Sequence, residues 1–130
     1  KCAIGYVGLY DLQVMKKEGD IRDSASGRRY LDRVLGTDDK QLKAWSPSQN
    51  VDKIKVPVFI VQGMVDRRVP MEQFNALKSA FKASGTPLET MLGPGEGHGF
   101  YKPDNRAELY KRMEAFLGKY IGPGAAPAGN

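Results

Sequence analysis

The sequence predicts an α/β layer structure of three mainly parallel strands with flanking helices. Three observations carry the prediction. Apolar runs of strand length alternate with segments of helical period along the chain. Val58-Phe59-Ile60-Val61 is apolar at successive positions, the pattern of a strand buried on both faces of a parallel sheet. The 130 residues allow one compact domain with a single sheet and little more.

In chain order, Cys2 to Val7 is a short apolar run closed by Gly8, too brief for a helix, and it reads as a buried strand. Ser24 to Gly36 reads as a helix, with serine caps, Tyr30, Leu31, Val34 and Leu35 at helical spacing, and a glycine at the C-terminal cap. Asp38 or Asp39 can cap a second short helix carrying Leu42 and Trp45, ended by Ser46-Pro47 because the residue before proline avoids the helical region. Val56 to Val61 is the second strand, with its proline near the start, where it is tolerated. Pro70 opens a helix whose Phe74, Leu77 and Phe81 share a face, and Gly85 closes it before a third strand, Leu88 to Leu92. Gly93 to Gly99 is a loop. Asn105 with Glu108 resembles a capping box for a last helix striped by Leu109, Met113, Phe116, Leu117 and Tyr120. Residues 1–121 form the domain, and Gly122 to Asn130, rich in Gly, Ala and Pro, is expected to be a flexible tail.

Composition narrows the function classes. At 41% hydrophobic and 27% charged, the chain has the apolar content to fold, and its short apolar runs exclude a membrane-spanning helix, which needs about 18 or more such residues. One cysteine (Cys2) and one histidine (His98) cannot build an internal disulfide or a Cys/His zinc site, so no metal and no cofactor is implied. The net charge of +5 comes from scattered pairs such as Lys16-Lys17, Arg28-Arg29 and Lys111-Arg112 with acids between them. Such a pattern reads as a solvated surface rather than a nucleic-acid stripe. The chain begins Lys1-Cys2-Ala3 without methionine or a secretory pattern, and it is expected to be a piece of a longer protein whose compartment it does not reveal.

In open α/β sheets functional groups gather in the loops after the C-terminal ends of strands. The loop after the second strand holds Asp66 and the loop after the third holds His98. Taken singly, an Asp there is commonly a helix cap and a His in a glycine loop a turn residue. Taken together, an acid beside an imidazole can fix its tautomer and make it a general base. The order acid then histidine is that of an α/β-hydrolase triad.

Gly63-Met64-Val65-Asp66-Arg67-Arg68-Val69-Pro70 resembles the G-x-x-D-x-R-V-P segment of the prolyl oligopeptidase family of serine peptidases, and Glu96-Gly97-His98-Gly99-Phe100 resembles its E-G-H-G-F segment. Gln73, Ser46-Pro47, Asn105-Arg106 and the final Phe116-Leu117 helix are similar to those of acylaminoacyl and dipeptidyl peptidases. The resemblance spans residues 1–121 and implies the C-terminal part of an α/β-hydrolase fold, with Asp66 as triad acid, His98 as triad base and a short peptide as substrate. It also implies that Arg68 faces substrate, against the alternative of a surface arginine, and that Tyr6 to Leu12 helps form a specificity pocket. The family's G-x-S-x-G elbow is missing: Ser24, Ser26, Ser46, Ser48, Ser79 and Ser84 all lack glycine at both flanking positions of that pattern, two residues before and two after. The nucleophile is therefore expected upstream, in the missing N-terminal part, and the chain alone is expected to be inactive. An esterase or dienelactone-hydrolase-like enzyme and a non-catalytic binding module are the alternatives. Glu96 is read as a solvated loop carboxylate, Cys2 as an inert buried thiol, and the outer edge of the first strand as a surface through which the chain forms a homo-oligomer.

Overall fold

The computed structural model describes residues 1–125; the remainder of the predicted tail, 126–130, lies outside the described residues. Three strands, β1 (Ala3–Tyr6), β2 (Val58–Gly63) and β3 (Leu88–Gly93), form a parallel sheet in the order β1-β2-β3. The helices are α1 (Leu12–Lys17), α2 (Ala25–Leu35), α3 (Asp39–Trp45), α4 (Met71–Ser84) and α5 (Pro103–Ile121). No described helix is long and apolar enough to cross a membrane.

β2 is the spine of the fold, and every one of its residues is buried. Its alternating side chains divide the core in two. Val58 and Ile60 pack with Tyr10, Phe74, Leu77 and Phe81 beneath α4, while Phe59 and Val61 pack with Met91, Leu109 and Phe116 beneath α5. Phe116 stands between Phe59 and Tyr120, with ring centroids 5.6 and 4.9 Å away. Helices on both faces are what an apolar strand of period one requires.

Capping follows the sequence at several ends. Ser24 accepts from Gly27 N at the start of α2, Gly36 closes it with φ 83°, and Asp38 caps α3 through Lys40 N. Helix α2 buries Leu31 and leaves Tyr30 and Val34 exposed, as is Trp45 on α3. Two expectations need correction. Cys2 is half-buried against the α5-side core rather than enclosed. The last helix begins at Pro103, not at an Asn105 capping box, since a proline whose φ is already helical and whose N–H is not needed suits the first position. Gly122 to Ala125 form a turn, with Ala125 N donating to Gly122 O.

Helix α1 is absent from the sequence reading. Its cap, Asp11, is buried and accepts from Gln13 N and Val14 N on one oxygen and from Ser48 Oγ and Gln49 Nε2 on the other. Gln73 of α4 holds the preceding turn, accepting from Tyr10 N and Asp11 N and donating to Asp11 O. Val7, just past β1, has φ 46°, a conformation that a β-branched residue keeps only when its surroundings impose it.

Burial works against the charged form of Asp11, but the bonds from Ser48, Val14, Gln49 and Gln13 outweigh it and lower its pKa. A group lowered in the folded state stabilises fully above its unfolded value, near 3.9, and the contribution is lost as pH falls from there through the folded value. Asp11→Asn is therefore expected to flatten the acid limb of stability below about pH 4. Urea midpoints of the two proteins between pH 2 and 7 check this, and parallel acid limbs would remove Asp11 from the linkage.

Candidate active site

β2 and β3 remain in register to their last pair, Gly63 opposite Gly93, so the loops that follow leave the sheet side by side. Met64 N donates to Gly93 O at 3.1 Å and Val65 N to Glu96 O at 2.9 Å, joining the two loops backbone to backbone. A Cβ on Gly63 would lie 2.1 Å from Gly97 O and 2.5 Å from Glu96 O. The approach needs glycine.

This junction brings Asp66 and His98 together: Asp66 Oδ2 accepts from His98 Nδ1 at 3.0 Å. Because a carboxylate oxygen only accepts, the bond selects the tautomer with the proton on Nδ1, leaving Nε2 as the free acceptor. The Asp66 side chain has no exposed surface, while that of His98 is 47% exposed. Asp66 Oδ1 accepts from Arg68 N and Val69 N, each at 2.9 Å, an Asx arrangement that closes the loop ahead of α4.

Two further groups hold the site, and the sequence reading did not single them out as such. Gln62, fully buried at the end of β2, donates from Nε2 to Val69 O at 2.6 Å and to Asp66 Oδ2 at 3.3 Å. Its signal in the sequence is a polar residue ending an apolar strand immediately before the acid loop. Tyr6, at the end of β1, accepts from Phe100 N at 2.5 Å and meets the Phe100 ring edge-on.

Glu96 overturns its expected reading. It is 2% exposed, and its carboxylate accepts from Tyr101 N, Lys102 N and Asn105 Nδ2 at 2.8–3.0 Å. Burial disfavours its charge, yet the bonds from Tyr101, Asn105 and Lys102 outweigh that and keep its pKa below the usual range. Arg68 lies on the surface near the pair, its Nε bonded to Asp20 Oδ1 at 2.7 Å. That bond, with the neighbouring arginine charge, lowers the Asp20 pKa. The hydroxyls of Ser46 and Ser48 are engaged with Leu42 O and Asp11, and Ser84 donates to Phe81 O. Among the described residues, no cluster of three His, Cys, Asp or Glu side chains could hold a metal ion.

The sequence pattern of the prolyl oligopeptidase family matches residues 1–124. The chain is 33% identical over 117 residues to dipeptidyl aminopeptidase BIII of Pseudoxanthomonas mexicana, covering 90% of this chain and 15% of that protein. It is 27% identical to the acylamino-acid-releasing enzyme of Rattus norvegicus over 59% of this chain and 10% of that one. The solved structure of a puromycin-hydrolyzing peptidase of Mycobacterium tuberculosis superposes on 99% of this chain and 19% of its own, with TM-score 0.83 and 26% identity. The chain thus spans less than a fifth of the length of these relatives, and the three-strand sheet is that of α/β-hydrolase peptidases.

Two glycine substitutions separate close approach from helix propensity. Gly63→Ala is expected to destabilise by about 1–3 kcal/mol, because it drives the two loops apart. Gly118→Ala, inside α5 with nothing within 4 Å of the new methyl group, is expected to stabilise by about 0.5–1 kcal/mol. Urea unfolding of both variants measures the contrast, and a neutral Gly63→Ala would contradict the packing of the two loops.

Proposed function

The chain belongs to the prolyl oligopeptidase family, and from that premise we propose that it supplies the acid and base of a serine peptidase that cleaves short peptides by acyl transfer. The observation that carries the reading is the bond between His98 Nδ1 and a fully buried Asp66 carboxylate, with the histidine open to solvent. Asp66 orients, and His98 moves the proton. In this reading a serine hydroxyl from outside the 130 residues gives its proton to His98 Nε2 as its oxygen attacks the peptide carbonyl carbon. When the C–N bond breaks, the same proton passes from Nε2 to the leaving amine. A water then repeats the sequence on the acyl-enzyme and restores the serine.

Amide cleavage is favoured over ester cleavage because the similar proteins are a dipeptidyl aminopeptidase, an acylamino-acid-releasing enzyme and a puromycin-hydrolyzing peptidase. Arg68, anchored through Nε, is proposed to offer its remaining N–H groups to a substrate carbonyl. The outer edge of β1, which has no strand partner among the described residues, is proposed as the place where the upstream part of the sheet joins. If a second copy takes that edge instead, light scattering of the 130-residue chain will show a dimer.

In the protein at full length, Asp66→Asn is expected to lower kcat toward a dipeptidyl anilide by about 10⁴-fold, the loss that accompanies the wrong histidine tautomer in a related triad. Wild-type turnover in that variant removes Asp66 from the mechanism.

The 130-residue chain alone is expected to show no turnover above its own His98→Ala variant, and no labelling by a serine-directed phosphonate that does label the full-length protein. Stoichiometric phosphonate labelling of the short chain would place the nucleophile within it.

A further inference from the structure

His98 is poorly fixed by its own stretch of chain. It sits between Gly97 and Gly99, which bridge to each other across it, in a loop where glycine recurs at 93, 95, 97 and 99. Gly95 and Gly99 have φ 66° and 143°, conformations that glycine enters and leaves readily. A loop of this kind gives an imidazole many orientations, whereas a general base needs one.

The side chain that closes the loop is Glu96, two residues before the histidine. Its Oε2 accepts from Tyr101 N at 2.9 Å, and its Oε1 accepts from Lys102 N at 3.0 Å and from Asn105 Nδ2 at 2.8 Å. These donors lie beyond His98 in the chain, so the carboxylate spans the base and ties the loop to the start of α5. Asn105 Nδ2 also donates to Pro94 O, bracing the other side of the loop. The Glu96 backbone is equally committed: its N–H donates to Gly93 O, and its carbonyl accepts from Val65 N in the loop that carries Asp66. One residue therefore holds the histidine loop to its strand, to the acid's loop and to the following helix. A buried carboxylate with three donors is costly to disturb, since removing the acceptor takes from Tyr101 N and Lys102 N the one protein partner each has among the described residues.

We infer that Glu96 is a positioning residue for the base: by clamping the ends of the glycine loop it holds His98 Nδ1 on Asp66 and Nε2 toward the reacting atoms. This deepens the serine peptidase reading and rests on it. A glutamine cannot replace it, because its NH2 group would face at least one of the three donors.

The test uses the full-length protein labelled with nitrogen-15 histidine, with the His98 signal identified by its loss in His98→Gln. In the wild type, the nitrogen shifts are expected to report the Nδ1-protonated tautomer. Glu96→Gln and Glu96→Ala are expected to lose that preference and to lower kcat by about 10²-fold, the cost of a misplaced catalytic group, with KM within about threefold. Leu42→Ala, in the core under α3 and away from the loop, serves as a control that lowers Tm without altering the tautomer. Glu96 variants that keep the wild-type tautomer, or a wild type without the preference, overturn the positioning role, as does a tautomer loss matched by Leu42→Ala. Wild-type turnover in His98→Gln would instead sink the catalytic reading, whatever the nitrogen shifts report, so the two failures are distinct.

Discussion

The placement of every group at the sheet's C-terminal edge depends on the contact of Gly63 with the backbone of residues 96 and 97. Parallel strands in register to their last pair deliver two loops to one place, but only glycine at that pair lets the loops touch. Gly93 is constrained in the same way from the other side, since a Cβ there would meet the Phe100 ring at 2.3 Å. Asp66 lies three residues past one member of the pair and His98 five past the other. Their loops therefore start from the same point, and the bond from Val65 N to Glu96 O keeps them together beyond it. The side-chain bond at 3.0 Å is thus the end of a series of backbone restraints that begins in the apolar packing of β2.

Each strand, or the loop that follows it, contributes a polar side chain to this edge. β1 gives Tyr6, whose oxygen takes the Phe100 N–H; β2 gives Gln62, which donates to Asp66 and Val69; the loop after β3 gives Glu96. Burying Gln62 and Glu96 is tolerable only where partners are found. Gln62 shows the limit. Its Oε1 has no partner among the described residues, yet turning the amide over would set that oxygen against Val69 O and Asp66 Oδ2, both acceptors. The observed orientation keeps the bonds to Val69 O and Asp66 Oδ2, and a longer one to Gly63 O, at the cost of the unpartnered oxygen.

What the sequence made legible follows from where the determining forces lie. The strands and α4 were readable because their apolar periods and their proline and glycine boundaries are local, and Asp66 and His98 because two motifs occur in order on adjacent strands. Helix α1 was not, since six residues carry too little period and its cap is held by Ser48, Gln49 and Gln73, which are distant in sequence. Glu96 was misread for a related reason. Its partners include the backbone N–H groups of Tyr101 and Lys102, and no residue type in a sequence announces that its N–H will point at a carboxylate. Asn105 misled similarly: a good cap residue by type, it faces back toward Glu96 because Pro103 has already started the helix.

The unequal exposure of the pair fits unequal roles. In the proposed mechanism a base must reach a hydroxyl and a leaving group, which calls for an open side chain, and nearly half of the His98 side chain is exposed. An orienting acid gains from the opposite condition, because its attraction to an imidazolium is screened least where water is excluded. Exposure costs the base its rigidity, and the flanking glycines that allow a tight reversal would compound the loss. Restraint must then come from outside the reversal, at points that leave the ring free. Glu96 before it and Phe100 after it, one tied to α5 and the other to Tyr6, are bonded at such points. On the inference drawn for Glu96, the histidine would be both accessible and fixed, because these bonds hold the chain on either side of it and do not engage Nε2.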